Sequence, residues 1–122
     1  MKTFLVSSDW INISDKGWGN GYVCIPEGHP LYGVSYNDIH EIIPDLSVNG
    51  GLTFSRYAKD LNWEAIPEGC EDTWIVGFDT LHYGDTIERW PKEAVQAETE
   101  RLKEQLEKFQ DKIGEDSIHT LD

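Results

Sequence analysis

Apolar positions come in short clusters as far as residue 90 and in one long periodic series after it. Phe4 to Val6 is a short apolar run suited to open a sheet, and Ser7-Ser8-Asp9 then turns the chain. Residues 10 to 21 set Trp10, Ile11, Ile13 and Trp18 among Gly17, Gly19 and Gly21, which predicts a loop with aromatic anchors. Tyr22 to Ile25 reads as a buried strand stopped by Pro26, and Gly28-His29-Pro30-Leu31-Tyr32-Gly33 as a second loop. Asn37 to Ile43 has room for one or two helical turns carrying Ile39, Ile42 and Ile43 before Pro44. Leu52 to Arg56 alternates, so Leu52 and Phe54 are expected on one buried face, fed by a turn at Asn49-Gly50-Gly51. Trp74 to Asp79 is the clearest strand, with Trp74, Val76 and Phe78 on one face and Ile75, Gly77 and Asp79 on the other.

Pro91 suits the first turn of a helix, and no further Gly or Pro occurs until Gly114. Val95, Thr99, Leu102, Leu106, Phe109 and Ile113 recur at alternating spacings of 4 and 3, an a/d seam among charged positions. Such a seam packs either on the chain's own sheet or on a second copy, and a helix projecting beyond the sheet does both. The expected architecture is therefore α+β: one domain over 1–114, with a small antiparallel sheet, a long amphipathic C-terminal helix at about 91–113, and a flexible tail over 115–122.

Composition sharpens this. At 122 residues the chain has the length of one domain, and five Trp, five Tyr and four Phe argue for a folded core. The net charge of -13 is set mainly by residues 1 to 91, where fourteen Asp and Glu face Lys2, Lys16, Arg56, Lys59 and Arg89. Duplex nucleic acid is held by neutralising several phosphates, so this balance speaks against a nucleic-acid groove but not against a small anion held by an Arg and backbone N–H groups. Cys24 and Cys70 form no CxxC pair, which predicts two free thiols, no zinc site and a reducing compartment. The first residues lack the apolar stretch of a signal peptide and no long apolar run occurs, so a cytoplasmic protein without a membrane span is expected.

The candidate chemistry centres on Asp79-Thr80-Leu81-His82-Tyr83-Gly84-Asp85, two carboxylates and an imidazole at and beyond a strand end. Such groups bind divalent metals or form an acid–base pair, yet equally serve turns and hydrogen bonds, and this spacing matches no known metal motif. Neither cysteine has a neighbouring His, and no serine lies in a GxSxG elbow, so no nucleophile is indicated. Asn49-Gly50-Gly51 is either a hairpin turn or a binding element whose amides face an anion. Trp74 belongs in the core, whereas Phe78, Tyr83 and Trp90, nearer strand ends, are candidates to stack on a planar base.

Taken in order, Gly19-Asn20-Gly21-Tyr22-Val23, Gly28-His29-Pro30-Leu31-Tyr32-Gly33, Gly50-Gly51-Leu52-Thr53-Phe54-Ser55 and Trp74-Ile75-Val76-Gly77-Phe78-Asp79, with His82, Gly84 and Asp85, resemble a widespread family of small phage proteins, the first type of Thoeris anti-defence protein. The likeness spans about residues 19 to 110; many relatives carry His where this chain has Asn49. The resemblance implies a sponge that binds cyclic ADP-ribose isomers made by bacterial TIR-domain enzymes without cleaving them, in the cytoplasm of the infected host cell. It also implies a homo-oligomer, dimer or hexamer, with cyclic oligonucleotides at a separate site in some members, and no cofactor. On this reading Phe78 or Trp90 contacts the adenine, and Asp79 and Asn20 the hydroxyls. Arg56 or Arg89, with the Gly50 and Gly51 amides, would hold the pyrophosphate, and Asn49, Thr53 and His82 stand in or beside the same blocks. Two other readings remain: a small hydrolase using Asp79, His82 and Asp85, with or without a metal, and an acidic protein-binding inhibitor.

Overall fold

The computed structural model describes residues 1–11 and 15–121, with side chains given up to Phe109. Its elements are β1 Lys2–Ser7, β2 Gly19–Ile25, α1 Tyr36–Ile42, β3 Phe54–Tyr57, a short 3-10 turn Ala58–Asp60, β4 Trp74–Phe78 and α2 Lys92–Leu121. The four strands form one antiparallel sheet in the order β1-β2-β4-β3, an α+β architecture.

Alternation along the strands separates two cores. Val23, Ile25, Trp74, Val76 and Phe78 face the helices and pack with Ile39 of α1 and Val95, Leu102 and Leu106 of α2. Tyr22, Cys24 and Ile75 point to the other face, where the segment after β3 covers them with Ala58, Leu61, Trp63, Ile66 and Cys70. There Trp63 stacks on Phe54 at 5.2 Å between centroids and meets Tyr22 edge-on at 5.3 Å. The two faces of β4 are as its alternation predicts. Leu52 and Phe54 are not on one face: Leu52 precedes the strand and enters the helix-side core, while Phe54 joins Tyr22 and Trp63.

The expected loop at Gly19-Asn20-Gly21 is instead the first half of β2. Glycine is required there by what crosses the strand: a Cβ on Gly21 would overlap Thr99 Oγ1 of α2 and stand 2.7 Å from Phe78 Cε1. The helix thus lies directly on the strand backbone at this point, and Thr99 satisfies its own hydroxyl on Val95 O at 2.7 Å. Val95, Thr99, Leu102 and Leu106 are at most 1% exposed, so the described part of the a/d seam is spent on the chain's own sheet. The seam is therefore no evidence for self-association. The bounds of α2 also pass Gly114, where a stop was expected; one interior glycine costs only about 1 kcal/mol relative to alanine. Ile113 and the expected tail at 115–122 lie outside the residues whose side chains are described.

His29 joins its loop to α2. Its ring sits 4% exposed, with Nδ1 accepting from Leu31 N at 3.0 Å and Nε2 within 3.2 Å of Leu106 O. Burial holds the imidazole below its ordinary range, against the Leu106 carbonyl and Glu107, which favour the charged form; the N-terminal ammonium, paired with Glu107 at 3.0 Å, adds to the depression. The unfolded chain therefore takes up a proton first. The contribution is fully present above the ordinary imidazole value of about 6.5 and is lost as pH falls towards the lower folded value. Urea denaturation of the protein and its His29→Gln variant between neutral and mildly acidic pH should show a shallower decline in the variant. Equal slopes would exclude His29 as a source of acid sensitivity.

Candidate functional site

Asp79, His82 and Asp85 come together because β4 ends at Phe78 and the chain then folds back on itself. Asp79 Oδ1 accepts from Leu81 N at 3.0 Å, and Asp85 N donates to His82 O at 2.9 Å, closing two consecutive turns. His82 Nδ1 lies 3.0 Å from Asp85 Oδ2 and 3.5 Å from Asp79 Oδ1. Asp85 is 5% exposed and fully engaged, accepting also from His82 N at 2.9 Å and from Asn49 Nδ2 at 3.3 Å on both oxygens. It is a clamp. His82, about one-third exposed, is the member presented to solvent.

Asn49-Gly50-Gly51 arrives at the same place from the other end of the fold. Gly50 and Gly51 have φ of 70° and 80°, the left-handed region that glycine enters without strain, and the His82 ring occupies the space a Cβ on Gly50 would need. The loop is tied to α2: Asn49 N donates to Glu98 Oε2 at 2.8 Å, Ser47 N to Gln105 Oε1 at 2.9 Å, and Gln105 Nε2 to Ser47 O at 2.8 Å. Arg101 in turn holds Glu98, Nε to Oε1 at 2.8 Å.

On the opposite sheet face, Asn20 Nδ2 donates to Tyr22 Oη at 3.2 Å, and Asn20 Oδ1 is, among the described residues, the one buried side-chain polar atom without a hydrogen-bond partner. Burial pushes the Tyr22 phenol up; the Asn20 hydrogen bond opposes this and the charge of Asp79 adds to it. Asp79 follows directly on the Gly21–Phe78 register pair, at the end of the sheet where Asn20 stands.

Other expected positions behave differently. Phe78 is 1% exposed in the core beneath α2 and is corrected from a stacking residue to a core residue, because the helix crosses the strand end as well as its middle. Trp90 is partly buried against the same core, its carbonyl accepting from Trp18 N at 2.8 Å. Tyr83, next to His82, is fully exposed. Gly51 N–H turns inward to Val48 O at 2.9 Å, Leu52 N–H to His40 Nε2 at 2.9 Å, and Thr53 N–H to Gly77 O at 2.9 Å. Of the run from 49 to 53, only the Gly50 amide has no protein acceptor among the described residues, so the paired-amide cradle narrows to one N–H. Arg89 is exposed, with Nη1 3.4 Å from Gly84 O; Arg56 is exposed on β3, opposite Ile75. Glu98 and Tyr22 were not among the candidate residues: Glu98 is one of the charged positions between the a/d residues of α2, and Tyr22 belongs to the strand expected to be buried.

Burial and the neighbouring Cys70 push the Cys24 thiol up to about 12, so it is protonated at neutral pH; both cysteines are free and buried. Among the described residues no group of three or more His, Cys, Asp or Glu side chains is disposed to hold a metal ion, and no helix is long and apolar enough to cross a membrane. Comparison of the chain with family models, with curated proteins and with solved structures gives no match.

Proposed function

We propose that the protein binds a cyclic ADP-ribose isomer and holds it uncut, acting as a phage sponge that removes the TIR-domain signal of Thoeris immunity in the infected cell. The observation that carries this reading is the convergence of Asn49 and Gly50 with His82 and Asp85, segments that come from two of the blocks bearing the family resemblance. Asp79, whose side chain is partly exposed, offers an acceptor to ribose hydroxyls, whereas the Asn20 Oδ1 expected beside it is buried, and Tyr83 replaces Phe78 as the ring that stacks on adenine. The Gly50 amide and Arg89 take the pyrophosphate side. Binding without cleavage fits Asp85, whose oxygens are already filled by His82 and Asn49 and are not free to act on a ligand. Self-association belongs to this reading through surfaces other than the described a/d seam.

A second reading has a specific observation behind it. His82 Nδ1 at 3.0 Å from a buried carboxylate is the arrangement that orients a general base, which keeps a small hydrolase in play. One experiment separates the two. The protein is titrated with a panel of cyclic ADP-ribose isomers by calorimetry, then heat-denatured, and the released material is chromatographed. The expected result is saturable binding and intact ligand; cleaved ligand would make His82 a catalytic base, and no binding to any isomer would sink the sponge.

A further inference from the structure

The chain contains two Asn-Gly pairs, Asn20-Gly21 and Asn49-Gly50. This dipeptide is especially open to deamidation, because glycine puts no Cβ beside the backbone nitrogen that must reach the asparagine Cγ. At Asn49, the reaction begins when Gly50 N gives up its proton to solvent base and attacks Cγ. A C–N bond forms, the Cγ–Nδ2 bond breaks, and ammonia leaves with a proton taken from water. Water then opens the succinimide at either carbonyl, leaving an aspartate or a β-linked isoaspartate. The sum is amide plus water to acid plus ammonia, so no other reactant is needed.

The fold treats the two pairs differently. Gly21 stands in β2, opposite Leu5 of β1 and Phe78 of β4, with Thr99 of α2 against its backbone. Nothing short of opening the sheet lets its nitrogen move. Asn49-Gly50 lies at the surface: Gly50 is exposed, Asn49 is partly buried, and the Gly50 N–H has no protein acceptor among the described residues. Three contacts hold this pair in place. Gly51 N donates to Val48 O at 2.9 Å across it, Asn49 N donates to Glu98 Oε2 at 2.8 Å, and Asn49 Nδ2 lies 3.3 Å from each oxygen of Asp85. All three are polar contacts of one loop, which break without disturbing the sheet.

We infer that Asn49-Gly50 is a deamidation site gated by local opening of its loop, with Asp85 and Glu98 as the gate. The product removes what held it, since a carboxylate then stands where the Asn49 amide donated to the buried Asp85 carboxylate, and like charges repel there. Loss of ammonia makes the conversion one-way, and it dismantles the surroundings of His82 whatever ligand they take.

The full chain, its Glu98→Gln variant and a capped peptide of residues 47–53 are incubated in mildly alkaline buffer and mapped by mass spectrometry with isoaspartate detection. In the parent, Asn49 should convert about tenfold to a hundredfold more slowly than in the peptide, because the contacts to the two carboxylates must break first. Asn20 should stay intact until the chain unfolds, which makes it an internal clock for global opening. Glu98→Gln should speed conversion at Asn49 about threefold and leave Asn20 unchanged. Deamidated protein, separated on an anion exchanger by its added negative charge, should melt below the parent. Peptide-like conversion, no conversion at Asn49 ahead of Asn20, a Glu98→Gln rate equal to the parent's, or unaltered melting of the deamidated fraction would overturn the assignment.

Discussion

Replacing Asp85 by alanine is expected to remove about 3 kcal/mol of stability and to abolish binding at the site around His82. The carboxylate is 5% exposed and accepts hydrogen bonds from His82 N, from His82 Nδ1 and from the amide of Asn49. Hydrogen bonds to an ionised group contribute about 1.5–3 kcal/mol each, and the donors left behind recover part of this from water, which gives the estimate. The loss reaches beyond the turn, because Asp85 is bonded both to the strand-end segment, at His82, and to the loop at Asn49. Without it, His82 loses its orientation and Gly50 the ring packed against it. Asp85→Asn keeps the shape but turns an amide donor towards existing donors, and should recover less than half of the lost stability. Urea denaturation gives the stability change, and calorimetry well below the unfolding midpoint gives the binding change. A stability loss under about 1 kcal/mol would mean that the pair behaves as a surface ion pair and does not organise the site.

What could be read beforehand follows from the range of the interactions. The strands at Tyr22 and Trp74 are legible because a buried strand is a local run of apolar residues, and the alternation of β4 placed each of its side chains on the correct face. Gly19-Asn20-Gly21 was not legible as strand. Its glycines answer to Val6, Thr99 and Phe78, residues far away in sequence, so local turn chemistry pointed to a loop. The exposure of Phe78 failed for the same reason: strand-end position is local, but coverage by α2 is not. Within the site, the spacing of Asp79, His82 and Asp85 marked out the acidic turn, and Asn49-Gly50-Gly51 stood out as paired glycines that let a backbone approach an anion. No local feature joined those two segments to each other or to Glu98, whose bond to Asn49 N spans forty-nine positions. The aromatic cluster of Phe4, Tyr22, Phe54 and Trp63 is likewise assembled from four separate segments.

The a/d series was legible as a helix but not in its destination, and Leu102→Ala tests that destination directly. Leu102 is fully buried in the cluster that joins α2 to β2 and β4, between Thr99, which lies against Gly21, and Leu106, whose carbonyl meets His29. Truncation there removes the transfer free energy of the lost methyl groups and leaves a cavity that the rigid strand backbone cannot close; the cost should be about 3–4 kcal/mol. For a domain of this length that lowers the thermal midpoint by about 8–15 °C. Because the contact is made within one chain, the loss should be the same at low and high protein concentration. A seam used between copies would behave otherwise: the mutant's deficit would grow on dilution, as mass action separates the subunits. Thermal denaturation of both proteins over a wide range of concentration distinguishes the cases, and a deficit confined to dilute samples would return the helix to an intermolecular role. A concentration-independent loss would place α2 in the core that carries the site, since the same helix holds the Asn49 loop through Glu98 and Gln105. Weakening its packing at Leu102 should then loosen that loop in proportion, and ligand affinity should fall with the stability of the helix.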